Sequence, residues 1–254
     1  MKTTALFICL MTIATASFAG PSKPNFGLPA GAVIVETQSL KAGGYPDRTL
    51  ILWMQNPSKH PSGATEDPEY VYTCPDQTRG SYYGGIAKVS LFNVKTNSII
   101  STIEIKQEEG PSIPYAIRKG YYYEVEGKPD KAGEAKPHIM SLKDYNGDGK
   151  SLEFAVFDAL ACMGLETALI GYSEKQDKVI QYPILMVSEG DDKQKTEKIL
   201  YSCDYLFSKK PESPGYWKYE IDYRGRGGTL DKYEIRYNPQ KERFEGRCVS
   251  TEKE

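Results

Sequence analysis

Histidine is scarce in this chain, with two among 254 residues. His60 lies in Lys-His-Pro-Ser and His138 in Lys-Pro-His-Ile-Met, and neither has the flanking Ser, Cys or acid pattern that marks a member of a catalytic triad. Gly-x-Ser-x-Gly, His-Glu-x-x-His and a phosphate loop are missing too, which removes the usual hydrolase, metalloprotease and nucleotide signatures. No apolar run approaches the roughly 20 residues needed to span a bilayer, so membrane insertion is not expected. Charge of either sign is not in excess, with 32 Lys and Arg against 34 Asp and Glu, and no basic patch invites nucleic acid. Long stretches of helical period are absent as well, and this turns the fold class towards β.

The first nineteen residues read as a secretory signal. Lys2 supplies the positive start, residues 5–13 the apolar stretch, and Ser17-Phe18-Ala19 a small-x-small cleavage site before Gly20. The expectation is an exported protein, periplasmic in a Gram-negative host and extracellular otherwise. Loss of residues 1–19 discards Cys9 and leaves Cys74, Cys162, Cys203 and Cys248, an even number in a compartment where thiols oxidise. None of them forms a C-x-x-C pair, so two disulfides are expected rather than zinc or a redox motif. Of the three pairings, Cys74 with Cys162 and Cys203 with Cys248 is favoured, because the second ties two strand-like segments near the C-terminus.

What the chain does contain is a series of short apolar, β-branched or aromatic runs separated by Gly, Pro, Asn and Asp. Strands are expected at 32–37, 49–54, 70–73, 87–94, 99–105, 121–125, 138–142, 152–157, 168–172, 179–187, 199–207, 217–223, 231–237 and 243–249, with one short helix at 158–163. Strand, polar turn and strand follow at matching lengths in 89–105, 168–183 and 233–248, which reads as three hairpins. The fold class is therefore mainly β, a propeller-like or sandwich arrangement of antiparallel hairpins with two disulfides, in one compact domain over 20–254. An internal echo raises the prospect of repetition between 138–187 and 217–249. Asp144-Tyr-Asn-Gly-Asp-Gly-Lys-Ser-Leu-Glu153 shares Asp, Tyr, two Gly and Leu with Asp222-Tyr-Arg-Gly-Arg-Gly-Gly-Thr-Leu-Asp231.

The first of these segments carries chemistry. Asp144, Asn146 and Asp148 place hard oxygen donors at alternate positions, Gly149 follows where the chain must bend, and the Lys150 carbonyl and Glu153 add two further donors. Calcium takes six to eight oxygens at about 2.3–2.6 Å, so the loop supplies a large share of a shell. The spacing is not that of a helical EF-hand, whose bidentate Glu stands at position twelve; here position twelve is Ala155 and a strand follows. The alternative is a bare turn, since Asn-Gly and Asp-Gly both suit positive φ. In the second segment Arg224 and Arg226 replace Asn146 and Asp148, so a guanidinium either bridges Asp222 and Asp231 or is merely solvated.

The loop resembles those of FG-GAP or VCBS repeat proteins, in which Asp-x-Asn-x-Asp-Gly is followed by an acid and a strand. The resemblance implies calcium held by Asp144, Asn146, Asp148 and the Lys150 carbonyl; the acid at position nine is displaced by one to Glu153. The functional expectation is an exported non-catalytic β module, calcium-stabilised, that binds a protein or glycan partner or serves a structural role in the envelope. Nineteen tyrosines with Trp53 and Trp217 supply amphipathic rings for such contacts. The rival is a secreted carboxylate-dependent, glycosidase-like hydrolase, which needs only two acids at the correct separation.

Overall fold

The computed structural model describes residues 26–60, 82–106, 115–117, 138–160, 164–190 and 193–252. The signal segment, Cys74, Cys162 and the strands expected at 70–73 and 121–125 lie outside these residues. In chain order the strands are β1 (Ala32–Ser39), β2 (Arg48–Gln55), β3 (Ser58–His60), β4 (Tyr82–Gly85), β5 (Ala87–Asn93), β6 (Ser98–Glu104), β7 (Tyr115–Ile117) and β8 (Glu153–Leu160). They continue with β9 (Gly164–Ser173), β10 (Lys178–Gln181), β11 (Ile184–Glu189), β12 (Lys195–Leu200), β13 (Cys203–Asp204), β14 (Tyr216–Asp222), β15 (Leu230–Asn238) and β16 (Arg243–Thr251).

These strands form four open sheets, and the class is mainly β as expected. One sheet has the order β1-β2-β5-β6 and another β12-β11-β16-β15-β14, while β3-β4-β7 is a small third. In the fourth, β9 pairs β8 along one edge and both β10 and β13 along the other. Pairing is antiparallel except between β11 and β16. The described sheets are layered and close into neither barrel nor propeller.

The β8–β9 sheet is the middle layer, and its sequence shows why. Successive strand side chains point to opposite faces, and in Phe154-Ala155-Val156 all three positions are buried. Phe154, Val156 and Ile170 share one core with Leu50, Leu52, Val89 and Leu91 of the β1-β2-β5-β6 sheet. Ala155 and Leu169 face the other way, into a core with Met186, Trp217, Ile235 and Phe244. A strand covered on both faces reads as a continuous apolar run, as this one does. The β1-β2-β5-β6 sheet is itself covered twice: Ile51, Trp53 and Phe92 on its outer face pack under Phe26 and Leu28. At the junction of the two sheets the Gln181 side-chain amide donates to the Lys106 carbonyl and accepts from the Lys106 N–H, acting as a neighbouring strand's backbone would.

The three hairpins form as expected, as β5–β6, β9–β10 and β15–β16. Four expectations are corrected. Residues 138–142 are not a strand: the buried Glu36 carboxylate accepts the N–H groups of Ile139 at 2.7 Å and Met140 at 3.1 Å, taking the place of a strand partner. The run 179–187 divides into β10 and β11 around Tyr182-Pro183, where proline has no N–H to give to a ladder. The run 199–207 also divides: β12 ends at Leu200, β13 has two residues, and a 3-10 turn Leu206–Ser208 follows Tyr205 in left-handed backbone at φ 57°. The helix expected at 158–163 is replaced by strand as far as Leu160, and no α-helix occurs among the described residues.

Double burial sets a stability expectation. Phe154→Ala should cost about 3–5 kcal/mol, whereas Ile34→Ala, at a side chain 42% exposed, should stay within about 0.5 kcal/mol, as read from urea-unfolding midpoints at unchanged slope.

Candidate functional site

The segment 144–152 is the entry to β8, closed by an antiparallel bridge between Lys143 and Glu153 with N–H to carbonyl distances of 2.8 and 3.3 Å. Inside it the acidic side chains turn back on the loop's own amides. The Asp144 carboxylate accepts the N–H groups of Gly147 at 2.7 Å, Asp148 at 3.2 Å and Gly149 at 2.9 Å. Asp148 accepts the Lys150 N–H at 2.8 Å. Gly147 stands at φ 82°, and a Cβ there would lie 2.6 Å from the Pro214 carbonyl carbon, so only glycine lets the loop rest on the turn that precedes β14. Lys150 points outward to Glu174 and lies 5.9 Å over the Tyr45 ring, which ties the loop to the β9–β10 turn and to the segment between β1 and β2.

Glu153 is the unusual group. Its residue is fully buried at the start of the middle sheet, and its carboxylate accepts the Tyr145 N–H at 3.1 Å, the Asn146 amide at 3.0 Å and the Tyr182 hydroxyl at 3.4 Å. No cationic side chain is among these partners. Burial, with Asp148 and Asp144 adding repulsion, pushes its carboxyl up to about 8. The Asn146 amide nitrogen also donates to Asp148 at 3.2 Å, so it stands between two carboxylates. Its orientation is fixed locally, because Asn146 Oδ1 accepts the Asp148 N–H at 2.9 Å and a flipped amide would set donor against donor.

The structure thus brings Asp144, Asn146, Asp148 and Glu153 into one hydrogen-bonded loop, with Lys150 turned to its outer side. The donor chemistry suits a hard cation, being all oxygen. The carboxylates nonetheless remain apart, and among the described residues no three His, Cys, Asp or Glu side chains gather closely enough to hold a metal ion. Tyr182 and the Pro214-Gly215 turn, which complete the loop's surroundings, have no signal in the motif; they reach it from distant parts of the chain.

The second segment shares the closing pair of the first but not its backbone, since it forms a 3-10 turn at Arg224–Arg226 and Gly225 lacks the positive φ of Gly147. The pair Ile221 and Asp231 bridges β14 and β15 at the two positions that Lys143 and Glu153 occupy in the first. Here Arg224 forks onto Asp222 at 2.9 and 2.8 Å, while Asp231 accepts the Thr229 hydroxyl at 2.6 Å. The guanidinium of Arg224 therefore serves one acid and does not bridge the two.

Cys203 and Cys248 are both buried thiols, unlinked in this structure, and both line a cavity of about 390 Å³ between β13 and the β11–β16 sheet. Burial pushes the Cys203 thiol up to about 12 and raises Cys248 too, so neither is an activated nucleophile. Glu166 and Asp204 also line this cavity, and sequence reasoning singled out neither. His138 is exposed, 3.7 Å from Glu36. Every tyrosine whose side chain is described is buried or half-buried. Tyr219 and Tyr233, for example, stack at 4.8 Å beside the second core, so these rings serve packing more than an exposed binding face.

Glu153 generates a pH expectation. Its folded value lies above the ordinary 4.5, so the folded chain holds a proton that the unfolded chain releases. Its contribution is complete below about pH 4.5 and is lost as pH rises towards about 8. In chelator, wild-type stability should fall across that window relative to Glu153→Gln, whose profile lacks this component; parallel profiles in denaturant unfolding would refute the assignment. Comparison with family models, with curated proteins and with solved structures finds no match to this chain.

Proposed function

We propose that the protein is an exported, non-catalytic β module stabilised by calcium at the 144–153 loop, which binds a protein or glycan partner or has a structural role in the cell envelope. The observation that carries this reading is Glu153: a carboxylate wholly inside the protein, beside Asp144 and Asp148, with an amide and a hydroxyl as partners and no cationic side chain. A divalent cation supplies the missing positive charge, and it does so where the loop touches the Pro214-Gly215 turn, Tyr45 and Glu174. Binding asks Asn146 to exchange its contacts to Asp148 and Glu153 for contact through its oxygen, and asks Glu153 to release its proton. Export rests on the sequence of residues 1–19. Among the described residues no helix is long and apolar enough to cross a membrane.

Calcium should raise the melting temperature. A ligand bound only by the folded state at about 100 times its Kd adds about 2.7 kcal/mol, or several degrees in a domain of this size. Extracellular calcium modules bind at roughly 10⁻⁴–10⁻³ M, so the titration runs well into the millimolar range. Asp148→Ala should abolish the shift and Arg224→Ala, in the second segment, should leave it intact. Identical melting in chelator and in saturating calcium would leave the loop as a turn.

Export also bears on the thiols. In an oxidising compartment Cys203 and Cys248 each lose a hydrogen to a disulfide-bearing oxidant, which leaves as a dithiol, and one S–S bond forms across the cavity. Their common place on the cavity wall supports this pairing. Cys74 and Cys162 form the second bridge of the proposal. Mature protein from such a compartment should show no titratable thiol after denaturation, and two or more per chain would overturn the pairing. Loss of either bridge should cost about 2–5 kcal/mol.

A further inference from the structure

Four strands stand at the ends of the β1-β2-β5-β6 and β12-β11-β16-β15-β14 sheets, and three of them carry a feature that deters further pairing. β1 has a bulge between Ile34 and Glu36. β6 faces β10, whose Val179 N–H donates to Ser101 Oγ at 3.0 Å. β12 holds the exposed Lys198 opposite Met186, and so on the core side of its sheet. On β14 the core side is formed by Trp217, Tyr219 and Ile221, with no charge among them. The turns at its two ends fix which backbone groups of β14 face outwards. Tyr223 gives its N–H to Thr229 and takes that of Gly228, and Gly215 takes that of Tyr237, so the odd-numbered residues over 215–223 turn towards β15. Backbone direction alternates along an antiparallel strand, so the even-numbered residues turn to the free edge. Tyr216 is satisfied there by Ser213 and Glu212. Lys218 and Glu220 have no backbone partner on that side among the described residues, and both side chains are exposed on the outer face.

A second copy of this chain is the strand whose charges fit. In an antiparallel pairing centred on Tyr219, Lys218 of each copy faces Glu220 of the other, and each such pair exchanges two N–H to C=O bonds. Within one copy Lys218 already stands opposite Glu234, and Glu220 opposite Lys232 at 3.5 Å. Across the joined sheets the charges then alternate as Lys232, Glu220, Lys218 and Glu234. A shift of the centre by one residue sets Glu220 against Glu220 or Lys218 against Lys218, and a centre at Ile221 sets Glu220 against Asp222, so like charges reject these registers. A centre at Trp217 needs backbone groups that Tyr216 already uses. We propose that β14 is a homodimer edge, through which two copies join their five-stranded sheets about a two-fold axis at Tyr219. The pairing depends on neither the loop at 144–153 nor the thiols, so it stands or falls apart from them.

The test is sedimentation equilibrium of the mature chain over a concentration series that reaches the millimolar range, since so short a pairing belongs with small, weak interfaces. A monomer–dimer equilibrium is expected for the wild type. Lys218→Glu and Glu220→Lys, each alone, should raise the dissociation constant of the dimer about tenfold or more, because each turns both unlike pairs into like ones. An equimolar mixture of the two variants should dimerise more tightly than either alone, because unlike charges again face each other. Should either variant fail to fold, the chain carrying both substitutions, which opposes unlike charges against its own copy, carries the same comparison. Glu197→Lys, on the β12 end strand, should leave the equilibrium unchanged. A wild type that stays monomeric, a dimer indifferent to both β14 substitutions, an equal loss with Glu197→Lys, or a mixture no tighter than its components would overturn the proposal.

Discussion

The β8–β9 layer is buried on both faces, and most of the remaining structure answers to that constraint. Over 154–156 and 168–170 the two strands have no solvent side on which to place a polar group, so the run there is continuously apolar and the ends manage the change to water. At the far end of the pair, β8 and β9 run to Leu160 and Gly164. At the near end the first residue of β8 is Glu153, fully buried, and the loop before it provides what the sheet cannot: a backbone N–H from Tyr145 and an amide from Asn146. Gly171, paired with Glu153 across the sheet, makes room for it, since a Cβ there would come within 2.8 Å of the Glu153 side chain.

The two Asp-Tyr-x-Gly-x-Gly segments answer two electrostatic problems with different backbones: Gly147 and Gly149 both take positive φ in the first, whereas the second is a 3-10 turn in which only Gly227 does. In the exposed connection between β14 and β15, Asp222 meets Arg224 in a two-pronged pair largely open to water, where such a pair contributes little to stability. In the connection before β8 the corresponding side chains are Asn146 and Asp148, and the acid at the end is inside the protein. A guanidinium in that place would carry its own desolvation cost into the interior. An amide bridges the carboxylates at lower cost but leaves their charge uncancelled, and the proton on Glu153 and the proposed calcium ion are alternative ways to cancel it.

The hairpins were legible in the sequence because their information is local: 89–105, 168–183 and 233–248 each hold two matched strands and the turn between them. The loop at 144–153 was legible for the same reason, since its donors and the glycines that let it bend are neighbours in the chain. What could not be read depends on partners far away. Residues 138–142 have a strand's composition, but Glu36, about a hundred positions earlier, captures their N–H groups. The burial of Glu153 depends on Tyr182 and on the layers packed over both faces of its sheet. Glu166 and Asp204 belong to no motif, and only the pairing of β9 with β13 sets them side by side. Tyrosine content offered amphipathic rings for partner contacts, whereas pairs such as Tyr219 with Tyr233 are used within the packing.

The loop and the cavity stand towards opposite ends of one strand. Gly171 of β9 lies against Glu153, and Glu166 of the same strand lines the cavity, a separation of five residues or about 17 Å of extended chain. Coupling between sites at that distance needs an element with two discrete arrangements that both ligands bias. The strand between them is held by ladders on both edges and by apolar packing above and below, which favours a single arrangement. An ion at the loop would then stabilise the layer on which the cavity is built. On this reading the loop secures the scaffold, and the doubly buried strand keeps that task apart from the cavity at its other end.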